Sequence, residues 1–198
     1  METSGRTALT RVRLGGSAAV LAGLSYGAAG YLDKPGVSGY ASALVYVLSV
    51  ATPTLFLGGL LGLHSRLLLG AERSFTSGAG FLLGCLGTML GVIDAAGLEQ
   101  TFLGLTRIGS WWWALLFASL TLMGLATLLK EGLRPLGSMV LVSGAVGWVS
   151  LLTDPAFSGV LVPIRPLHVA FAAVFCLSSV AWGSMVLVEP HSQVRPKP

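Results

Sequence analysis

The chain has no asparagine, two cysteines and eight acidic residues in 198 positions, and each scarcity closes off a class of protein. Without asparagine there is no acceptor for N-glycosylation. Cys85 and Cys176 are too far apart to make a Cys-x-x-Cys metal or redox pair, and both fall in apolar stretches, where they read as free structural thiols. Charged residues make up 10% of the chain, against about a quarter in an ordinary soluble domain, so a water-facing globular surface cannot be assembled. No phosphate-cradling glycine loop and no HExxH pair is present, and no apolar stretch carries the serial arginines of a voltage sensor.

What the chain does have is length without charge. It is 54% hydrophobic, with a mean hydropathy of +0.80. Crossing roughly 30 Å of hydrocarbon takes about 20 apolar residues in a helix. Six stretches meet that requirement, 14–32, 41–63, 78–98, 108–129, 136–153 and 167–188. None alternates with the period of a barrel strand, and a helix is the other structure that satisfies its own backbone in lipid. The expected fold is all-α, a bundle of six transmembrane helices arranged as three antiparallel hairpins, with polar tails at 1–13 and 189–198. A basic flank and small residues near Tyr26 also fit a cleaved secretory signal in place of the first helix.

The basic residues divide between alternate connectors. Arg6, Arg11, Arg13, Arg66, Arg73, Lys130, Arg134, Arg195 and Lys197 fall on one set, and Lys34, Arg107 and Arg165 on the other. Basic connectors stay on the cytoplasmic side, so the split predicts both termini inside and an inner-membrane location. The net charge of +4 thus reflects topology and attraction to anionic lipid, not nucleic-acid binding.

A sixty-residue rhythm runs through the outward-going helices. Arg13, Arg73 and Arg134 enter them, Gly23, Gly84 and Gly144 each stand ten residues before an aspartate, and Asp33, Asp94 and Asp154 end them. Triplication of a two-helix unit produces this layout, and so does the ordinary length of a hairpin. In the third helix Gly80, Gly84, Gly87 and Gly91 share one face at spacings of four, three and four. Such a stripe admits a neighbouring helix, either within the chain or from a membrane-protein partner or second copy.

Candidate functional residues are few. Among Asp, Glu, Lys, Arg and His, only Asp94 and His168 fall inside the apolar stretches. An intramembrane carboxylate is costly to bury and suggests a proton or cation site, unless the helix ends by Ala95 and leaves Asp94 at the rim. His168 is too far from His64 and His191, at the opposite boundary, for a paired histidine site. Pro53, between Thr52 and Thr54, leaves the Ser49 carbonyl without its helical amide and predicts a kink. Trp111, Trp112 and Trp113 read as interfacial anchors.

Two resemblances follow from these residues. Leu57-Gly-Gly-Leu-Leu-Gly-Leu-His64-Ser-Arg66, with Gly78-Ala-Gly-Phe-Leu-Leu-Gly84 and Leu86-Gly-Thr-Met-Leu-Gly91, resembles small multi-pass membrane proteins of actinobacteria and related GC-rich bacteria. That likeness implies a bacterial inner-membrane protein and no catalytic residues. The tryptophan cluster with His168 partly resembles six-span haem-handling proteins of cytochrome c assembly. The match departs where Ala114-Leu-Leu follows the tryptophans without an aspartate, and where 33–40 lacks a histidine. Ser143-Gly144 lacks the preceding glycine of a rhomboid protease. No cofactor is implied. The reading that follows is a non-enzymatic structural or accessory membrane component, with a small-solute or ion transporter as the alternative and a membrane enzyme or haem-handling protein third.

Overall fold

The computed structural model describes residues 2–32, 40–68, 75–97, 108–153 and 165–188, and for 2–8, 40–41, 108–110 and 165–168 it describes the backbone. These residues form six α-helices with no strand among them: α1 (Glu2–Leu32), α2 (Tyr40–Leu68), α3 (Phe75–Ala95), α4 (Ile108–Leu128), α5 (Arg134–Thr153) and α6 (Arg165–Val188). The helices follow the apolar stretches closely, with two differences. First, α1 starts at Glu2 where a tail to Arg13 was expected. Residues 2–13 contain no proline and one glycine, so nothing stops a helix begun in the apolar stretch from propagating backwards. Second, α2 continues to Leu68 and takes in His64 and Arg66, which had read as connector residues.

Helices α2 to α6 are each long and apolar enough to cross a membrane. The 31-residue α1 has the length, but Ser17, Ser25, Tyr26, Tyr31 and its glycines dilute its apolar character. The outer surface is that of a lipid-facing bundle: Leu82, Leu86 and Met89 of α3 are all more than half exposed. A protein surrounded by water rarely exposes an apolar surface this continuous.

Each helix packs against the next in sequence, and α6 closes on α1, making a ring. Neighbours run antiparallel. Gly80 meets Met123 while Gly91 meets Trp112; Gly137 meets Leu128 while Gly147 meets Phe117; Gly16 meets Leu187 while Gly23 meets Cys176. Six antiparallel helices return the chain to its starting end, here called the terminal end; the other is the distal end.

Small residues set the helix separations. The α3 stripe is fully used inside the chain: Gly80, Gly84, Gly87 and Gly91 are buried, facing Met123, Ser119, Leu115 and Trp112 of α4. Along α1 the packing changes from end to end. A Cβ on Gly16 would stand 2.8 Å from the Gly183 carbonyl oxygen and one on Gly23 2.9 Å from that of Cys176; on Gly27 the nearest atom would be Cys176 Sγ at 3.5 Å, and Gly30 has nothing within 4 Å. Helix α1 is therefore closest to α6 at the terminal end, and the space beside its glycines widens toward the distal end.

Three phenylalanines meet near the middle of the ring, one from each returning helix. Phe56, Phe117 and Phe175 are buried, with Phe175 5.7 Å from Phe56 and 5.3 Å from Phe117 between ring centroids. They stand at intervals of 61 and 58 residues, so the three hairpins contribute equivalent side chains to one core. Gly23, Gly84 and Gly144 also occupy equivalent roles, each buried beside Ser179, Ser119 or Thr121 of an adjacent helix. The corresponding Arg73, Asp33 and Asp154 lie outside the described residues.

Two basic side chains finish helices at the terminal end. Buried Arg66 donates to the carbonyls of Met185 (3.4 Å) and Val186 (3.3 Å), in the last turn of α6, and Lys130 donates to the carbonyl of Leu67, one residue before the end of α2. Last-turn carbonyls have no amide partner within the helix and lie at the negative end of its dipole, so a cation satisfies both deficits. These residues had read only as topological charge.

Candidate distal cavity

Helix α3 ends where its sequence stops favouring helix. Gly97 takes a left-handed φ of 68°, and its amide returns to the Asp94 carbonyl at 2.9 Å, closing the last turn. Asp94 therefore sits in the final turn, as the rim reading required, but it faces inward. Its carboxylate accepts a hydrogen bond from the Trp112 indole N–H at 3.2 Å. An aspartate at a helix C-terminus opposes the dipole, typically by 0.3–1 kcal/mol. The sequence accepts that local cost at Asp94.

What Asp94 faces is a half-open cavity of about 400 Å³ at the distal end, lined by residues of four helices. Tyr26, Ala29 and Gly30 come from α1, Val45, Ser49 and Thr52 from α2, Gly91, Asp94 and Ala95 from α3, and Trp112 and Trp113 from α4. Gly30, where an added Cβ would meet nothing within 4 Å, leaves space at the cavity wall, while the α3 stripe keeps α3 against α4. The depth of the cavity follows from α2, where it extends from Val45 near the helix start to Thr52 near the middle. Beyond that level the aromatic core closes the ring: Tyr26 packs 4.9 Å from Trp113 and 5.7 Å from Phe175.

The proline acts on the same wall. Pro53 is buried, and its Cβ would lie 3.0 Å from a Cβ on Gly91, so the missing side chain of Gly91 makes room for it. The hydroxyls flanking it bond to Leu48 (Thr52, 2.7 Å) and Val50 (Thr54, 3.3 Å), not to Ser49. The Ser49 carbonyl thus receives nothing from the residue four positions on, and Ser49 lines the cavity.

The tryptophan cluster divides into separate roles. Successive helical positions point about 100° apart, so only Trp111 is outward, at 62% exposure, where an interfacial anchor belongs. Trp112 is buried against Gly91 and Asp94, and Trp113 stacks on both Trp112 (3.8 Å) and Phe117 (5.5 Å). Treating the three as equivalent anchors was wrong for two of them. His168 is in the first turn of α6, and its side chain lies outside the described residues, as does Arg107. His64, at the terminal end, stacks on Phe81 at 4.5 Å and pairs with Ser77 at 3.3 Å. Among the described residues no three His, Cys, Asp or Glu side chains come together to hold a metal.

Sequence reasoning singled out Asp94 but missed Tyr26 and Gly30. Nothing local marks either one, because their role arises from a gap between helices. No protein-family model, curated protein or solved structure matches the chain.

Proposed function

We propose that this protein is an integral protein of the bacterial inner membrane that binds a small polar solute in the distal cavity, as a transporter does in one of its closed states. The observation that carries the reading is the cavity itself, with Asp94 on its wall and its deepest α2 residue, Thr52, near the middle of that helix. Its volume falls within the roughly 300–1,000 Å³ range of small-molecule sites. A few polar groups in a mostly apolar lining fix the orientation of a solute rather than merely hydrate it. Passage to the other side requires Tyr26, Phe56 and Phe175 to move, which makes the aromatic core the closed gate of an alternating-access cycle. The alternation of basic connectors supports an orientation with both termini cytoplasmic and the cavity open to the outer side. Arg11, Arg13, Arg66, Lys130 and Arg134 all lie at the terminal end.

A structural or accessory role, alone or with a membrane partner, is the second reading. It is favoured by the terminal half, where glycines bring backbones into contact and the core is filled. The haem-handling reading is weaker, because Trp112 and Trp113 are already engaged by Asp94 and the aromatic core.

The experiment is a solute panel on the full chain in lipid nanodiscs. Binding reads as solute-dependent stabilisation, about 2.7 kcal/mol at one hundred times Kd. Some solute class should stabilise the wild type and fail to stabilise Ser49→Trp, which places an indole in the cavity. If no solute distinguishes the two proteins, the structural reading takes its place.

A further inference from the structure

We infer that the route from the distal cavity to the terminal end runs along the inner seam between α2 and α6, and that Ser179 and Trp182 are gating residues that favour its opening. The inference rests on the transport reading above and adds the route and the groups that govern it.

The seam lies on the terminal side of the aromatic core. From Phe175 one face of α6 continues through Ser179, Trp182 and Val186 at spacings of four, three and four, and all four residues are buried. Three α2 residues meet this face. Phe56 has its ring 5.7 Å from that of Phe175, an added Cβ on Gly59 would meet Trp182 Cη2 at 3.0 Å, and Arg66 donates to the carbonyls of Met185 and Val186. Side chains therefore make the seam. Backbones approach closely where α1 meets α2 at Gly15 and Gly62 and where α1 meets α6 at Gly16 and Gly183, whereas α2 and α6 share little backbone contact. Rotation of Trp182 and release of Arg66 open the seam while the glycine-packed interfaces stay whole.

Two polar groups on the seam are unsatisfied while it is shut. Ser179 and Trp182 are both 0% exposed, and Ser179 Oγ and Trp182 Nε1 have no hydrogen-bond partner among the described residues. The neighbouring Ser178 differs, since its hydroxyl donates to the Phe175 carbonyl and accepts from Ser143. A hydroxyl and an indole N–H buried without partners raise the free energy of the closed state, and water entering an opened seam removes that cost. Alanine and phenylalanine at these positions would shut the seam more firmly. Serine and tryptophan instead bring the closed and open states closer in free energy, as a gate requires.

With Cys85 and Cys176 replaced by alanine, Val186→Cys puts a thiol on the seam. Thr127→Cys puts one in the last turn of α4, beside Gly137 of α5 and at matching depth, and both parent residues are fully buried. A charged, membrane-impermeant methanethiosulfonate, added from the terminal side to the full chain in proteoliposomes, should modify Val186→Cys and leave Thr127→Cys untouched. Adding Ser179→Ala or Trp182→Phe should slow modification of Val186→Cys about tenfold, and Arg66→Met should speed it. Leu63→Cys, at a buried α2 position one turn past Gly59, is the second reporter if Val186→Cys does not fold. A rate indifferent to Ser179→Ala and Trp182→Phe overturns the inference, because fraying of the last turn does not depend on groups deeper in the bundle. So does protection equal to that of Thr127→Cys. Destabilisation of the fold by Ser179→Ala overturns it too, since the hydroxyl would then be satisfied by internal water in the closed state. Any of these results with Ser49→Cys modified from the distal side leaves the cavity reading standing, and protection of Ser49→Cys as well removes both.

Discussion

Replacing Gly62 with alanine should separate α1 from α2 at the point where they are closest. A Cβ on Gly62 would stand 2.5 Å from Gly15 Cα, 3.0 Å from Gly15 C and 3.3 Å from Gly16 N, all of them backbone atoms. Carbon atoms pack best at about 3.5–4.0 Å, so the helices must part by about 1 Å, since no side chain can swing aside. Overpacking of this kind costs about 1–3 kcal/mol, whereas glycine to alanine in a helix interior returns at most about 1 kcal/mol. The expected net loss is about 1–2 kcal/mol, a 5- to 30-fold fall in the folded ratio. Gly30→Ala provides the matched control, because nothing lies within 4 Å of its added methyl. It should be neutral or slightly stabilising. Equilibrium unfolding in mixed micelles with increasing SDS measures both. If Gly62→Ala matches Gly30→Ala, the two backbones are not in contact and small residues do not set the α1–α2 separation.

Other consequences test separate parts of the fold. Arg66→Met removes two charge-assisted hydrogen bonds to the end of α6 and should cost about 1–3 kcal/mol in the same unfolding assay. A smaller loss than for an exposed basic residue such as Arg134 would contradict the capping role. Two serines should respond with opposite signs. Ser143→Ala breaks the 2.8 Å bond to Ser178 and should cost about 0.6 kcal/mol, while Ser179→Ala removes a buried hydroxyl without a partner and should stabilise by about 1 kcal/mol. Matching signs would contradict these hydrogen-bond assignments. For orientation, Ser65→Cys in a background without native cysteines should label only from the cytoplasm, and labelling from outside would reverse the proposed topology.

Much of this arrangement was legible in the chain because each helix is an apolar run ended by charge, glycine or proline. The α3 stripe was readable for the same reason. Its 4-3-4 spacing fixes one face regardless of what packs there, and Gly80, Gly84, Gly87 and Gly91 are all buried. Features that join separate helices were not readable. Phe56, Phe117 and Phe175 recur with a period near sixty, yet the repeat had been traced on the outward helices, while these residues belong to the returning ones. Arg66 and Lys130 carry the same charge whether they cap a helix or face lipid headgroups, so composition does not separate the two uses. The cavity was hardest of all. Asp94 marks its rim, but its volume is a gap between four helices that no local pattern encodes.

The central claim is that water reaches the middle of the bundle from the distal end and stops at the aromatic core. With Cys85 and Cys176 replaced by alanine, Ser49→Cys places a thiol on the cavity wall, and Ser119→Cys places one in a fully buried site on α4. A charged, membrane-impermeant methanethiosulfonate added from the distal side should modify the first and leave the second untouched. Protection of Ser49→Cys equal to that of Ser119→Cys would mean the distal half is closed to water, and the proposed site would not exist.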